Sequence, residues 1–252
     1  MFNRFSEHVY YRLPEYYSDR PTIGFIKGTK HSLLFEAGSS PKHASKIKRE
    51  LDEAGLGMPS YIALSHWHWD HSFGLCSWDV TSISSTDTNK HLKRLQKLQW
   101  SEEAVLERVK NKKEITFCYE MMKREYEGDF ESIQVVPTDV EFDNSLTIDL
   151  GGVHCSLIKV GGPHSLDSVI CYIPEDRFLF LGDSNGKNLY LLDWKFDIKK
   201  EEELVQTLAS LPYDEDVLEE YRDKLKDLFF DSCIGGHGDI MTREELFTSL
   251  MA

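Results

Sequence analysis

The chain has 252 residues, 40% of them hydrophobic and 12% aromatic, enough to bury a large core as one domain or two. A formal charge of −14 and a sequence pI near 5.2 argue against nonspecific binding to nucleic acid or to an anionic membrane surface. No stretch approaches the roughly eighteen apolar residues of a membrane span, and Arg4, Glu7, His8, Arg12 and Glu15 break any signal-peptide core near the N-terminus.

The cysteines, Cys76, Cys118, Cys155, Cys171 and Cys233, are scattered and never form a Cys-x-x-Cys pair. Neither a disulfide framework nor a thiolate zinc site is indicated, and reduced thiols place the chain in the cytoplasm. In chain order, Thr22 to Lys27 and Ser32 to Phe35 read as strands joined by a turn at Gly28-Thr29-Lys30-His31. Ser40 followed by Pro41 is an N-cap with proline at the first helical position, and Ile47, Leu51 and Ala54 keep helical spacing until Gly55. Tyr61 to Ser65 is an apolar run of strand length, and at its end stand His66-Trp67-His68-Trp69-Asp70-His71.

Three imidazoles and a carboxylate within that stretch point to a metal. Side chains two apart on an extended chain point the same way, so His66 and His68 can face one ion while Trp67 faces elsewhere. A turn at Trp69 then aims Asp70 and His71 at a neighbouring position. Imidazole nitrogen and carboxylate oxygen suit Zn²⁺, with Fe and Mn as lesser fits on ligand type.

Val80 to Ser84 follows as a short strand, and Asp87 to Leu98 as a helix carrying Lys90, Lys93, Arg94 and Lys97. A solvated face accounts for that charge, the alternative being an anionic partner. Ser101 to Glu127 is a charged helical region with apolar points at Val105, Val109, Ile115, Met121 and Met122, which suits a helix covering core or, alternatively, a lid. Strands are expected at Ile133 to Val136, Leu146 to Leu150, Val153 to Val160, Ser168 to Ile173 and Phe178 to Leu181, with Gly151-Gly152 as a tight turn. The tail reads as helical from about Lys199 to Leu211 and from Asp214 to Leu228, and Thr242-Arg243-Glu244-Glu245 is a capping box opening a final helix.

Three further metal-ligand residues sit where apolar runs finish. Leu157 to Val160 runs through Gly161-Gly162-Pro163 into His164, Phe178 to Gly182 ends at Asp183, and Cys233 to Gly236 ends at His237. Glycine before each ligand permits a sharp turn and close backbone approach at a crowded rim.

The pattern His66-x-His68-x-Asp70-His71 with His164, Asp183 and His237 resembles, in order, the ligand set of the metallo-β-lactamase-fold hydrolases, over roughly Thr22 to His237. The resemblance implies an α/β fold, a four-layer αββα sandwich with two mixed sheets face to face and the site along one edge. It implies a single domain over 1–252 with a helical insertion at about 87–128. His66, His68 and His164 would hold one divalent ion, Asp70, His71 and His237 a second, and Asp183 would bridge them. Asp70 is the implied catalytic residue, orienting a bridging hydroxide and taking up a proton. The implied activity is dinuclear, zinc-dependent hydrolysis of a small-molecule ester, thioester, lactone or phosphoester. Iron-dependent redox chemistry on the same fold, or RNA or DNA cleavage, are the alternatives; the missing flavodoxin domain, the retained His68 and the acidic charge weigh against them.

Departures from the family pattern are visible. Glu36-Ala37-Gly38 stands where many relatives have Asp-x-Gly, which predicts rearranged hydrogen bonds beneath the motif loop. Ser184-Asn185-Gly186 follows Asp183 where lactonases place a tyrosine, and Tyr190 comes late. The run Gly162 to Ser168 looks like that of the zinc β-lactamases, but the bridging Asp183 and the broken N-terminal apolar core speak against antibiotic hydrolysis. Trp67, Trp69, Tyr190 and Trp194 are the candidates for an apolar pocket wall.

Overall fold

The structure, a computed structural model, describes residues 1–193 and 212–251; the helix expected over 199–211 and Trp194 lie outside them. Seven strands form one sheet in chain order: β1 (Asn3–Arg4), β2 (Val9–Arg12), β3 (Ile23–Lys27), β4 (Ser32–Phe35), β5 (Tyr61–Ala63), β6 (Thr81–Ser85) and β7 (Val140–Phe142). β1 to β4 pair antiparallel, and β4 to β7 pair parallel. The second sheet comprises β8 (Ser145–Asp149), β9 (His154–Lys159), β10 (Val169–Ile173), β11 (Phe178–Gly182), β12 (Ser232–Gly235) and β13 (Ile240–Thr242). Only β11 and β12 pair parallel there.

Period-two patterning sorts each strand between two cores. Leu33 and Phe35 of β4, with Phe178 and Phe180 of β11 and Val169, Cys171 and Ile173 of β10, fill the space between the sheets. Leu34 of β4 points the other way, joining Ile47 and Leu51 of α1 (Pro41–Glu53) and Leu92 and Leu95 of α3 (Thr86–Leu95). On the far face, Ile170, Leu179 and Leu181 pack against Leu218, Tyr221 and Leu225 of α6 (Glu215–Lys226) and Leu246 of α7 (Arg243–Ser249). Helices, sheet, sheet and helices make the four-layer αββα sandwich. Gly24 sits where the ring of Phe180 crosses β3, and a Cβ there would lie 2.8 Å from the ring.

Some expected elements fall differently. The 101–127 region is two helices, α4 (Glu102–Lys110) and α5 (Thr116–Glu125), because the chain turns at Lys112 (φ 55°), where Lys113 N–H bonds back to Arg108 O at 2.8 Å. Ile133 to Val136 buries Ile133 and Val135 and exposes Gln134, as a strand would, yet it forms no ladder. Pro137 interrupts it, and β7 takes the sheet edge by pairing with residues 83–85. On the basic face of α3, Lys90 pairs with Asp87 and Lys93 with Glu141. Two N-terminal strands join the first sheet where the sequence offered only charge and aromatics. No helix among the described residues is long and apolar enough to cross a membrane.

The turn 15–20 lies at the rim of the site described below, and buried charge fastens it. Glu125 of α5, 1% exposed, accepts from Arg20 Nε at 2.8 Å, Arg20 Nη2 at 3.0 Å and Ser18 Oγ at 2.6 Å, and also from the Ser40 hydroxyl at the start of α1. Removing one partner of such a pair leaves the other charge buried without compensation. Glu125→Ala is therefore expected to lose about 3–5 kcal/mol of stability in urea titrations; a loss within the scatter of surface substitutions would contradict the anchoring role.

Candidate metal centre

β5 ends at Ala63, and Val169 N–H, from the second sheet, bonds to Ser65 O at 2.7 Å. His66 follows, fully buried, with Nδ1 2.9 Å from Ser65 Oγ. The chain then closes a single helical turn, α2 (Trp69–Ser72), that swings Asp70 and His71 round beside it. Asp167 braces the loop: its Oδ2 accepts from Trp67 N–H at 3.1 Å and Thr88 Oγ1 at 2.8 Å.

Glu36, the longer acid at the departure from the family pattern, is 1% exposed and left-handed (φ 80°). Such backbone strain persists only where surrounding contacts determine it. Glu36 Oε2 accepts from Ser65 N–H at 3.2 Å, and Oε1 lies 3.1 Å from His71 Nδ1. Ala37 N–H bonds to His71 O at 3.0 Å, so the loop is held from below despite the extra methylene.

The other three residues arrive on strand ends. Gly161 (φ 63°) and Gly162 (φ 127°) turn the chain after β9 towards His164. The His164 Nδ1 faces Lys187 O at 3.0 Å, which fixes the proton there and leaves Nε2 facing His68 Nδ1 at 2.9 Å. Asp183 follows Gly182 at the end of β11, and His237 follows Gly235-Gly236 at the end of β12. Gly236 N–H bonds to Gly182 O at 2.6 Å, and a Cβ on Gly236 would fall 1.9 Å from Asp183 Oδ1. Only glycine leaves that carboxylate its place.

All seven residues singled out in the sequence converge here, in two groups. His66, His68 and His164 form one, and Asp70, His71, Asp183 and His237 the other; in each the ligand atoms lie within 4.8 Å of one another. Asp183 reaches across, its Oδ2 3.5 Å from His237 Nε2 and 3.6 Å from His164 Nε2. Asp70 Oδ2 sits 2.9 Å from His71 Nε2 and 3.1 Å from His237 Nε2.

The donor set fits metal ions. Among the described residues, His66 Nε2, His71 Nε2 and Asp183 Oδ1 are buried without a hydrogen-bond partner. His71 Nε2 has carboxylate oxygens within reach but not in hydrogen-bonding alignment, as expected of donors that converge on a shared point. Burial, helped by the neighbouring imidazoles, pushes His66 and His68 well below the ordinary histidine value, so both are neutral and ready to ligate. Burial opposes charge on His71, yet Asp70, Asp183 and Glu36 outweigh it and hold that ring well above its ordinary value. His237 is likewise raised to about 10, against burial, by Asp183, Asp19 and Asp70. Burial pushes Asp70 upward, but His71 and His237 hold it well below the carboxylate range. Protons on His71 and His237 balance Asp70 and Asp183, and a divalent cation can replace them.

A cavity of about 630 Å³ opens over both groups. Trp69 and Tyr190 line it as expected, whereas Trp67 stands behind it, stacked on His91 with centroids 5.0 Å apart and capped by Arg94 at 5.8 Å. Asp19, on the cavity wall with φ 55°, places Oδ1 3.5 Å from His237 Nδ1. Neither Asp19 nor the bracing role of Asp167 was singled out in the sequence; Asp19 carries no motif, and its one signal is a left-handed backbone visible only after folding.

Similarity to known proteins agrees with this arrangement. Among solved structures, the DIM-1 metallo-beta-lactamase superposes with a TM-score of 0.62 at 15% identity, covering 100% of this chain and 95% of that one. A metallo-beta-lactamase from Pontibacter korlensis gives 0.60 at 14% identity, over 100% and 97%. A motif mutant of a metallo-beta-lactamase from Cronobacter sakazakii gives 0.60 at 18% identity, over 94% and 80%. A search of curated proteins finds no match. The family model for the metallo-beta-lactamase superfamily matches residues 19–230, and the chain belongs to that superfamily.

Proposed function

We propose that the protein is a dinuclear metal-dependent hydrolase, with zinc as the resident ion, acting on a small ester, thioester, lactone or phosphoester. The observation that carries this reading is the convergence of seven imidazole and carboxylate side chains in two groups, five of which, His68, Asp70, His164, Asp183 and His237, line one cavity. His66, His68 and His164 would hold one ion, Asp70, His71 and His237 the other. Asp183 would serve both, as its distances to His164 and His237 suggest. When bound, two such ions supply a hydroxide nucleophile at neutral pH and polarise the scissile carbonyl or phosphoryl oxygen.

The chain's own groups do the rest. Asp70 remains ionised, and its Oδ2 between two histidine nitrogens is placed to orient the attacking group and receive its proton. Ser65 and Lys187 O orient His66 and His164 through hydrogen bonds, and the Glu36 carboxylate sits 3.1 Å from His71 Nδ1 as its charge partner, which keeps the donors aimed without further reorganisation. The five cysteines are all free thiols, which supports a reducing, cytoplasmic setting.

Two outcomes test the assignment. His66→Ala and Asp183→Ala should each lose bound metal on dialysis, read by elemental analysis, and lose hydrolysis in parallel; wild-type metal content in both would contradict it. Asp70→Asn keeps an oxygen ligand but not the anionic proton acceptor, and should lower kcat by about 10²–10⁴-fold, whereas kcat within a factor of two of the wild type would remove Asp70 from catalysis.

A further inference from the structure

The cavity's chemistry narrows the substrate. Away from the metal-site residues, its described lining includes Trp69, Ile115, Phe117, Cys118, Leu189 and Tyr190. Charge is sparse and mainly acidic: Asp19 and Asp239 on the rim, with one lysine and no arginine among the described lining residues.

This wall is fixed to the site. Tyr190 stands beside His68, ring centroids 5.8 Å apart, and donates its hydroxyl to Glu114 Oε1 at 3.1 Å. Glu114 is buried, and the same oxygen accepts Ile115 N–H at 3.0 Å. One carboxyl group thus ties the start of α5 to the aromatic ring flanking a metal-site histidine. The α5 end of the wall is also anchored through Glu125, so the apolar surface is built into the fold rather than borrowed from a loose loop.

We propose that the substrate is an uncharged carbonyl compound bearing an apolar arm, lodged against the wall made by Ile115, Phe117 and Cys118 with Trp69, Leu189 and Tyr190. The inference deepens the hydrolase reading and rests on it. Hydrolysis breaks the bond between acyl carbon and leaving oxygen or sulfur; water gives its hydroxyl to the carbon and its proton to the leaving group. A polyanionic phosphoester would meet Asp19 and Asp239 at the rim, whereas an uncharged arm meets carbon. A cavity of about 630 Å³ holds an arm of several carbons as well as the reacting group.

The test uses the zinc-loaded full chain and p-nitrophenyl esters from acetyl to octanoyl. The kcat/KM should rise about fourfold per added methylene until the cavity is full. In parallel, the neutral fluorescent probe N-phenyl-1-naphthylamine is displaced with 2-butanone, 2-hexanone and 2-octanone, a readout independent of turnover. Displacement should strengthen by about the same factor per methylene. Cys118→Phe, which fills the wall, and Phe117→Ser, which makes it polar at a half-buried position, should each flatten both slopes. Hydrolysis and displacement that do not vary with chain length overturn the inference while leaving the hydrolase reading standing. Slopes unchanged in both variants overturn its location. Graded displacement with no hydrolysis of any ester supports the pocket and counts against the hydrolase reading.

Discussion

Burying His66, His71 and Asp183 together, with ring nitrogens and a carboxylate oxygen left without hydrogen-bond partners, is the constraint to which the rest of the structure answers. Each unpartnered polar atom costs about 1–3 kcal/mol when removed from water, and crowded carboxylates repel one another. The neighbouring carboxylates favour protons on His71 and His237, which relieve part of this. A cation that displaces those protons relieves more of it, because the unpartnered nitrogen and oxygen atoms already converge. A site of this kind is rigid by necessity, and its supports extend well beyond the ligands.

Those supports come from both sheets. Ser65 and Val169 bond across from one sheet to the other, and Gly182 and Gly236 join neighbouring strand ends of the second, so the loops bearing the candidate ligands are tied in two pairs at one edge. Alternating side chains on β4, β10 and β11 fill the space between the sheets and lock their register. A one-residue slip of β11 would carry Asp183, which follows its last residue, to the opposite face. The outer helices add the cavity wall: α5 is fastened through Glu125 to the turn bearing Asp19, and through Glu114 to Tyr190. The fold thus sets the metal-site geometry and the apolar surroundings by separate contacts.

The seven candidate ligands were legible because they are chemically conspicuous and sit at the ends of apolar runs, where strand chemistry stops and glycine begins. The layers followed from family resemblance, and alternation within β4, β10 and β11 is consistent with them. Long-range pairing was less legible. The N-terminal strands carry too much charge for hydropathy to mark, and Ile133 to Val136 has strand-like alternation without a partner. Glu36 was noted as a departure, but that its longer side chain still reaches Ser65 depends on a left-handed backbone that no local pattern announces. Asp19 and Trp67 owe their places to tertiary packing: one is carried to His237 by the ion pairs of Arg20, the other is drawn away from the cavity by His91 and Arg94.

Anomalous X-ray scattering at the zinc edge, from crystals of the zinc-loaded protein, tests the central claim most directly. The account predicts two peaks about 3.5–4 Å apart, one among His66, His68 and His164, the other among Asp70, His71 and His237, with Asp183 between them. Peaks confined to surface carboxylates, or no bound zinc at this edge of the sheets, would contradict it.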